Sequence, residues 1–205
     1  GIAGITAALT AHAAGLRVTM LHKGQAWNPD RAEQATSTFY AQGGIAVVMP
    51  TNPDDSVDLH VADTIAAGAG LGDPAATRPI VDAGWAAVTE LMAWGTRFDR
   101  DPRGALARTR EGGHSLRRIL HAGGDATGLE MVRALKKNIQ DGGRVQIYEN
   151  SFVADVLTRD DRVTGLTVFQ GGRWHLYRTG FVIVATGGLG QIYRYTTNPA
   201  VATAD

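Results

Sequence analysis

The chain has 205 residues, the length of one large domain. Twenty Lys and Arg balance twenty Asp and Glu, so no basic excess exists to drive counterion release from a nucleic acid. No apolar run approaches the ~20 residues of a membrane helix, and the absence of cysteine excludes disulfides, thiolate metal sites and cysteine nucleophiles while fitting a reducing, cytoplasmic setting. Glycine is abundant, at 26 residues against an ordinary ~7%. No period orders these glycines, which excludes repeats and collagen and leaves many of them with backbone tasks.

The chain opens Gly1-Ile2-Ala3-Gly4, and an Ala-, Leu- and Thr-rich helix is predicted to Ala14, with Gly15 as its stop. A short strand follows at Arg17 to Leu21. A dinucleotide-binding unit runs strand, G-x-G-x-x-G, helix, strand, and Gly1 and Gly4 fit its second and third glycines. The first strand and first glycine are missing, so the chain reads as a stretch of a longer protein, cut at both ends. A G-x-x-G that opens a helix is equally the start of a tightly packed helix. The strand end, ~20 residues past the glycines, is where a ribose-binding acid belongs. His22 and Lys23 stand there instead, a pair suited to a 2′-phosphate of NADP or to the ribose and phosphates of another dinucleotide.

Trp27 to Ala35 reads as a loop. Ser37-Thr38-Phe39-Tyr40-Ala41-Gln42-Gly43-Gly44 then leads into an apolar run to Val48, a pattern for backbone that closely approaches a ligand or for a turn before a strand. A helix is predicted over Asp54 to Gly68, with the glycine-rich 68–72 stretch as its end rather than a nucleotide fingerprint. One further helix is predicted from Pro74 to Trp94. Arg108 to His121 gathers four arginines, two histidines and a glutamate, which suits an anionic substrate or a solvated charged loop. Its spacing matches no metal-ligand set, and no G-x-S-x-G elbow occurs. A helix over Ala126 to Asp141 precedes a β-meander: strands at 145–148, 152–159, 163–170 and 174–177, with turns at Asp160-Asp161 and Gly171-Gly172. Phe181 to Gly188 reads as a buried parallel strand that ends in A-T-G-G.

In this order the pieces resemble flavoproteins of the succinate dehydrogenase and fumarate reductase superfamily, and within it the L-aspartate oxidase family. The resemblance rests on S-T-F-Y-A-Q-G-G-I-A (Ser37 to Ala46), T-R-E-G-G-H-S-L-R-R-I-L-H (Thr109 to His121), D-A-T-G (Asp125 to Gly128) and A-T-G-G-L-G-Q-I-Y-R-Y-T-T-N-P (Ala185 to Pro199). It implies an α/β fold: a Rossmann-like FAD-binding domain over 1–205, with a parallel sheet, a β-meander and a helical insert. The capping and C-terminal helical domains of the family lie outside it. Two departures stand out. Thr203-Ala204-Asp205 replaces a T-G-D block, and Gly123-Gly124 stands where the family has alanines.

The resemblance implies FAD contacts at Gly1, Ile2, Ala3, Gly4, Lys23, Ser37, Thr38, Gln42, Gly43 and Gly44. It adds Val153 or Ala154 at the adenine, the Ala185, Thr186 and Gly187 strand end, and Asp205. Ser37 stands where relatives with covalent flavin carry a histidine, which implies noncovalent FAD. Glu111 matches the glutamate placed near the substrate ammonium, with His114, Ser115 and Arg118 as further candidates for shaping the dicarboxylate pocket. The implied reaction oxidises L-aspartate to iminoaspartate, with oxygen or fumarate as acceptor and possible hand-over to quinolinate synthase, at the start of quinolinate and NAD biosynthesis. The fragment alone is expected to be inactive. The alternatives are a soluble fumarate reductase or succinate-oxidising flavoprotein, and a noncatalytic nucleotide-binding remnant.

Overall fold

The computed structural model describes residues 1–25, 36–142 and 145–204; the expected loop at Trp27 to Ala35 and Asp205 lie outside the described residues. In chain order its elements are α1 (Ile2–Ala13), β1 (Val18–Leu21), β2 (Ile45–Ala46), α2 (Val57–Ala67), α3 (Pro74–Asp82) and α4 (Gly84–Ala93). Then come β3 (Ile119–Leu120), α5 (Thr127–Gly142), β4 (Val145–Tyr148), β5 (Ser151–Arg159), β6 (Arg162–Gln170) and β7 (Arg173–Arg178). They form two compact units, one of residues Gly1–Tyr40 and Leu135–Asp205, the other of Ala41–Ala134. The expected helical insert is thus a compact unit of its own.

In the first unit, α1 buries Ile5, Ala8 and Leu9, spaced three and four apart on one face, and packs on β1 and β4. Strands β1 and β4 pair in parallel, Val18 opposite Val145 through Leu21 opposite Tyr148. The pairing continues past β1, where His22 N–H donates to Tyr148 O and Ser151 N–H donates to His22 O. The first of the four strands expected in the meander, 145–148, is β4 and pairs with β1 instead, while strands β5, β6 and β7 make an antiparallel meander. Both of its turns hold their two central residues at positive φ, the geometry that matches the twist of a two-residue hairpin.

The apolar stretch from Phe181 to Gly188 departs from expectation. It joins no strand ladder among the described residues, and Phe181, Ile183 and Val184 are exposed. A continuous apolar run becomes a buried strand only when neighbours pair with its edges and cover its faces. None of the described strands does so. It comes close to α1, where a Cβ built on Gly4 would lie 3.4 Å from the Ala185 Cβ.

In the second unit, the antiparallel pair β2 and β3 and helix α4 enclose Val47, Met49, Val88, Phe98, Leu120 and Ala122. Ser56 caps α2 through its hydroxyl, which accepts the Leu59 N–H, and Asp73 caps α3 in the same manner at Ala75. The single helix expected over Pro74 to Trp94 is two. Pro79 removes one rung, and Gly84, a poor helix former, follows the break at Ala83. Gly123 and Gly124, the departure from the family's alanines, both sit at positive φ and donate their N–H groups to the two oxygens of Asp99. Glycine is the residue suited to that backbone.

Candidate functional site

The first unit brings together several of the segments singled out for a nucleotide. Helix α1 opens on Gly1 with no side-chain cap and no acid in its first turn, so its amino end presents backbone and a positive dipole end. Ile2 N–H donates to Thr38 Oγ1 at 3.1 Å, which joins Gly1-Ile2 to Ser37-Thr38. A Cβ on Gly1 would come within 3.0 Å of that same hydroxyl, and Gly4 gives the close helix packing against Ala185. At the end of β1, Lys23 Nζ donates to Thr203 Oγ1, two residues short of Asp205. Ala154 is the residue passed over where the β5–β6 register shifts between Val153 and Asp155. Its backbone therefore stands outside the regular ladder.

His22 is tied to its own loop. Its Nδ1 lies against the Gly24 backbone, and burial lowers its pKa below the ordinary 6.5, which leaves it neutral at pH 7.

The second unit holds the four catalytic candidates, and divides them. Arg118 has a fully buried side chain that forks Asp55, with Nε at 2.9 Å and Nη2 at 2.7 Å from the two oxygens. Its Nη1 donates to Asp63 and to His114 Nδ1. Ser115 gives Asp63 both its N–H, at 2.9 Å, and its hydroxyl, at 2.8 Å. Burial alone would raise the Asp63 carboxyl, but the Ser115 donors and the Arg118 guanidinium outweigh it and hold the pKa at about 2. Arg118, Ser115 and His114 are therefore joined in one polar cluster whose charges are satisfied internally. Asp55 and Asp63 were missed from sequence because they lie 63 and 55 residues from their partner.

Glu111 stands apart. Thr109 and Ile119 exchange both backbone hydrogen bonds, at 3.0 and 3.1 Å, and so close a loop that carries Glu111. The carboxylate is half exposed, and its Oε1 lies 2.8 Å from His121 Nε2. His121 and Thr109 were visible in the arginine-rich block but not singled out. Gln42, Gly43 and Gly44 precede β2. The space at Gly44 is closed by protein, since a Cβ there would meet Leu120 O at 2.3 Å and Ile119 Cγ2 at 2.5 Å. A Cβ on Gly43 would meet nothing within 4 Å.

The family model for an FAD binding domain matches residues 1–205. The chain belongs to the FAD-binding domain family. As the family's cofactor, FAD asks for a helix amino end without an acid or a self-capping side chain, and the Gly1 to Gly4 turn fits that need, with the Thr38 hydroxyl as the one polar side chain bonded to it, at Ile2 N–H, among the described residues. This FAD-binding domain is 50% identical over its whole length to the L-aspartate oxidase of Mycobacterium tuberculosis, of which it covers 37%. It is 43% identical to that of Streptomyces coelicolor, of which it covers 35%. The domain thus spans little more than a third of these relatives. Among solved structures it resembles E. coli quinol fumarate reductase FrdA, with a TM-score of 0.87 and 31% identity over 98% of this chain and 34% of that one. It also resembles the Mycobacterium smegmatis Sdh1 complex, with a TM-score of 0.89 and 28% identity over 100% of this chain and 36% of that one. No helix among the described residues is long and apolar enough to cross a membrane.

Proposed function

We propose that the complete natural protein oxidises L-aspartate to iminoaspartate with noncovalent FAD, in the cytoplasm, and uses oxygen or fumarate as the final acceptor. The observation that carries this reading is Glu111. It is the one of the four candidates with an exposed carboxylate outside the Arg118 cluster, and it stands in the T-R-E-G-G-H-S block that resembles aspartate oxidases. When bound, FAD supplies the hydride acceptor; the amine carbon gives up its hydrogen as hydride and the nitrogen loses a proton, so the C–N bond becomes C=N.

The chain's own residues bind and orient. Gly1, Ile2, Ala3 and Gly4 would hold the pyrophosphate at the amino end of α1. Lys23, Ser37, Thr38, Gln42, Gly43, Gly44, Val153 or Ala154, Ala185, Thr186, Gly187 and Asp205 are the further proposed FAD contacts. Ser37 offers no imidazole for a covalent flavin link. Glu111 would anchor the substrate ammonium, while His114, Ser115 and Arg118 keep the loop in shape through Asp55 and Asp63 rather than touching substrate. Hand-over of iminoaspartate to quinolinate synthase completes the proposal.

The test compares two dicarboxylates that differ in the amine. Glu111→Gln should raise KM for L-aspartate about tenfold, the worth of one hydrogen bond to a charged group, and leave fumarate reduction within about twofold. Equal effects on both would support a fumarate reductase or succinate-oxidising enzyme instead.

A further inference from the structure

Glu111 sits on a loop, and a half-exposed glutamate on a loop has many rotamers to choose from. A group that recognises an ammonium by charge and direction has to be held in one of them. The holder is visible. His121 follows β3 directly, its carbonyl accepts the Asp99 N–H at 2.8 Å, and its ring is largely shielded from solvent. Its Nε2 lies 2.8 Å from Glu111 Oε1 and 3.0 Å from Thr109 Oγ1. The opposite nitrogen, Nδ1, is buried without a hydrogen-bond partner among the described residues.

These contacts choose the tautomer. A proton on Nδ1 would be a buried donor without a partner, whereas a proton on Nε2 meets two oxygens. With its proton on Nε2, the ring shares that one N–H between the Glu111 carboxylate and the Thr109 hydroxyl oxygen. We propose that His121 is a positioning residue for amine recognition, directing the Glu111 carboxylate through its Nε2–H while Thr109 fixes the ring. This rests on the reading of Glu111 given above. It also gives a residue at 121 that places no N–H near the Nε2 position a defined consequence: the enzyme loses grip on the amine and keeps its grip on the dicarboxylate.

The experiment uses the complete, flavin-loaded enzyme and follows KM and kcat for L-aspartate and for fumarate. His121→Asn, too short to reach Glu111, should raise KM for L-aspartate about tenfold, as loss of one charge-assisted hydrogen bond does, with fumarate KM within about twofold. His121→Gln carries an N–H near the Nε2 position and should recover most of the loss. His121→Asn added to Glu111→Gln should do no further harm. Unchanged aspartate KM in His121→Asn, an equal rise for both substrates, no recovery in His121→Gln, or a full added loss in the double variant would each overturn the proposal. If Glu111→Gln itself leaves aspartate KM unchanged, the role of Glu111 falls and that of His121 with it. If only the histidine variants are silent, the positioning role alone falls. A readout without any variant is the imidazole nitrogen chemical shifts of the wild-type enzyme, expected to show Nε2 protonated; a bare Nε2 would overturn the assignment.

Discussion

Replacing Arg118 by methionine tests whether the arginine-rich block is a structural clamp or a substrate site. Methionine keeps much of the buried volume and removes the charge, which leaves Asp55, with a fully buried side chain, and Asp63, 15% exposed, facing each other without a cation. Breaking a buried pair by removing one partner costs about 3–5 kcal/mol. With a urea m-value of ~2 kcal/mol/M, the unfolding midpoint should fall by about 1.5–2.5 M. The pH dependence carries a second signature. Asp63 drops from an ordinary 3.8 to about 2 in the folded protein, so it contributes stability above the unfolded pKa and loses it as pH falls through the folded one. That amounts to about 2 kcal/mol, part of it from Ser115. The gap between wild type and Arg118→Met should therefore be full above about pH 4 and narrow toward pH 2. Arg118→Lys, which keeps the charge without the fork, should fall between the two. A change of under about 1 kcal/mol for Arg118→Met, or a gap that widens on acidification, would refute the clamp.

Two glycines give sharper tests of packing. Gly44→Ala drives a Cβ into the Leu120 carbonyl, and should lower the thermal midpoint by the several degrees that follow from about 1–3 kcal/mol of overpacking. Gly4→Val should weaken FAD binding about tenfold or more in a fluorescence titration, because its branches extend past the 3.4 Å contact with Ala185, whereas Gly4→Ala should be tolerated. Denaturation of the holoprotein should release all of its flavin into the filtrate, as noncovalent binding at Ser37 requires; flavin retained on the precipitated protein would contradict it.

Much of the fold was readable from local pattern. The helix from Ile2, the strand that ends at Leu21 and the meander with its two-residue turns are set by residues close in sequence, and periodicity and turn chemistry report such neighbours directly. The stretch from Phe181 to Gly188 was misread because a buried strand is defined by its partners, and apolar content says nothing of whether they are present. The break at Ala83 was overlooked although Pro79 and Gly84 both signal it. In the site, the arginine-rich composition around Arg118 was legible and the partners of its guanidinium were not. The Asp55 and Asp63 pairing is a long-range fact of the fold. Glu111 was singled out through its motif, while His121, three residues past Arg118 in the same block, gains its meaning only from the Thr109 to Ile119 closure that brings its ring to the carboxylate.

The most direct measurement is anaerobic reduction of the flavin in the complete protein, followed by bleaching of its visible absorbance, with L-aspartate and succinate offered separately. Saturable bleaching by L-aspartate is expected, with a weakened response in Glu111→Gln and little reduction by succinate. Faster reduction by succinate than by L-aspartate, or bleaching by L-aspartate that ignores Glu111→Gln, would contradict it.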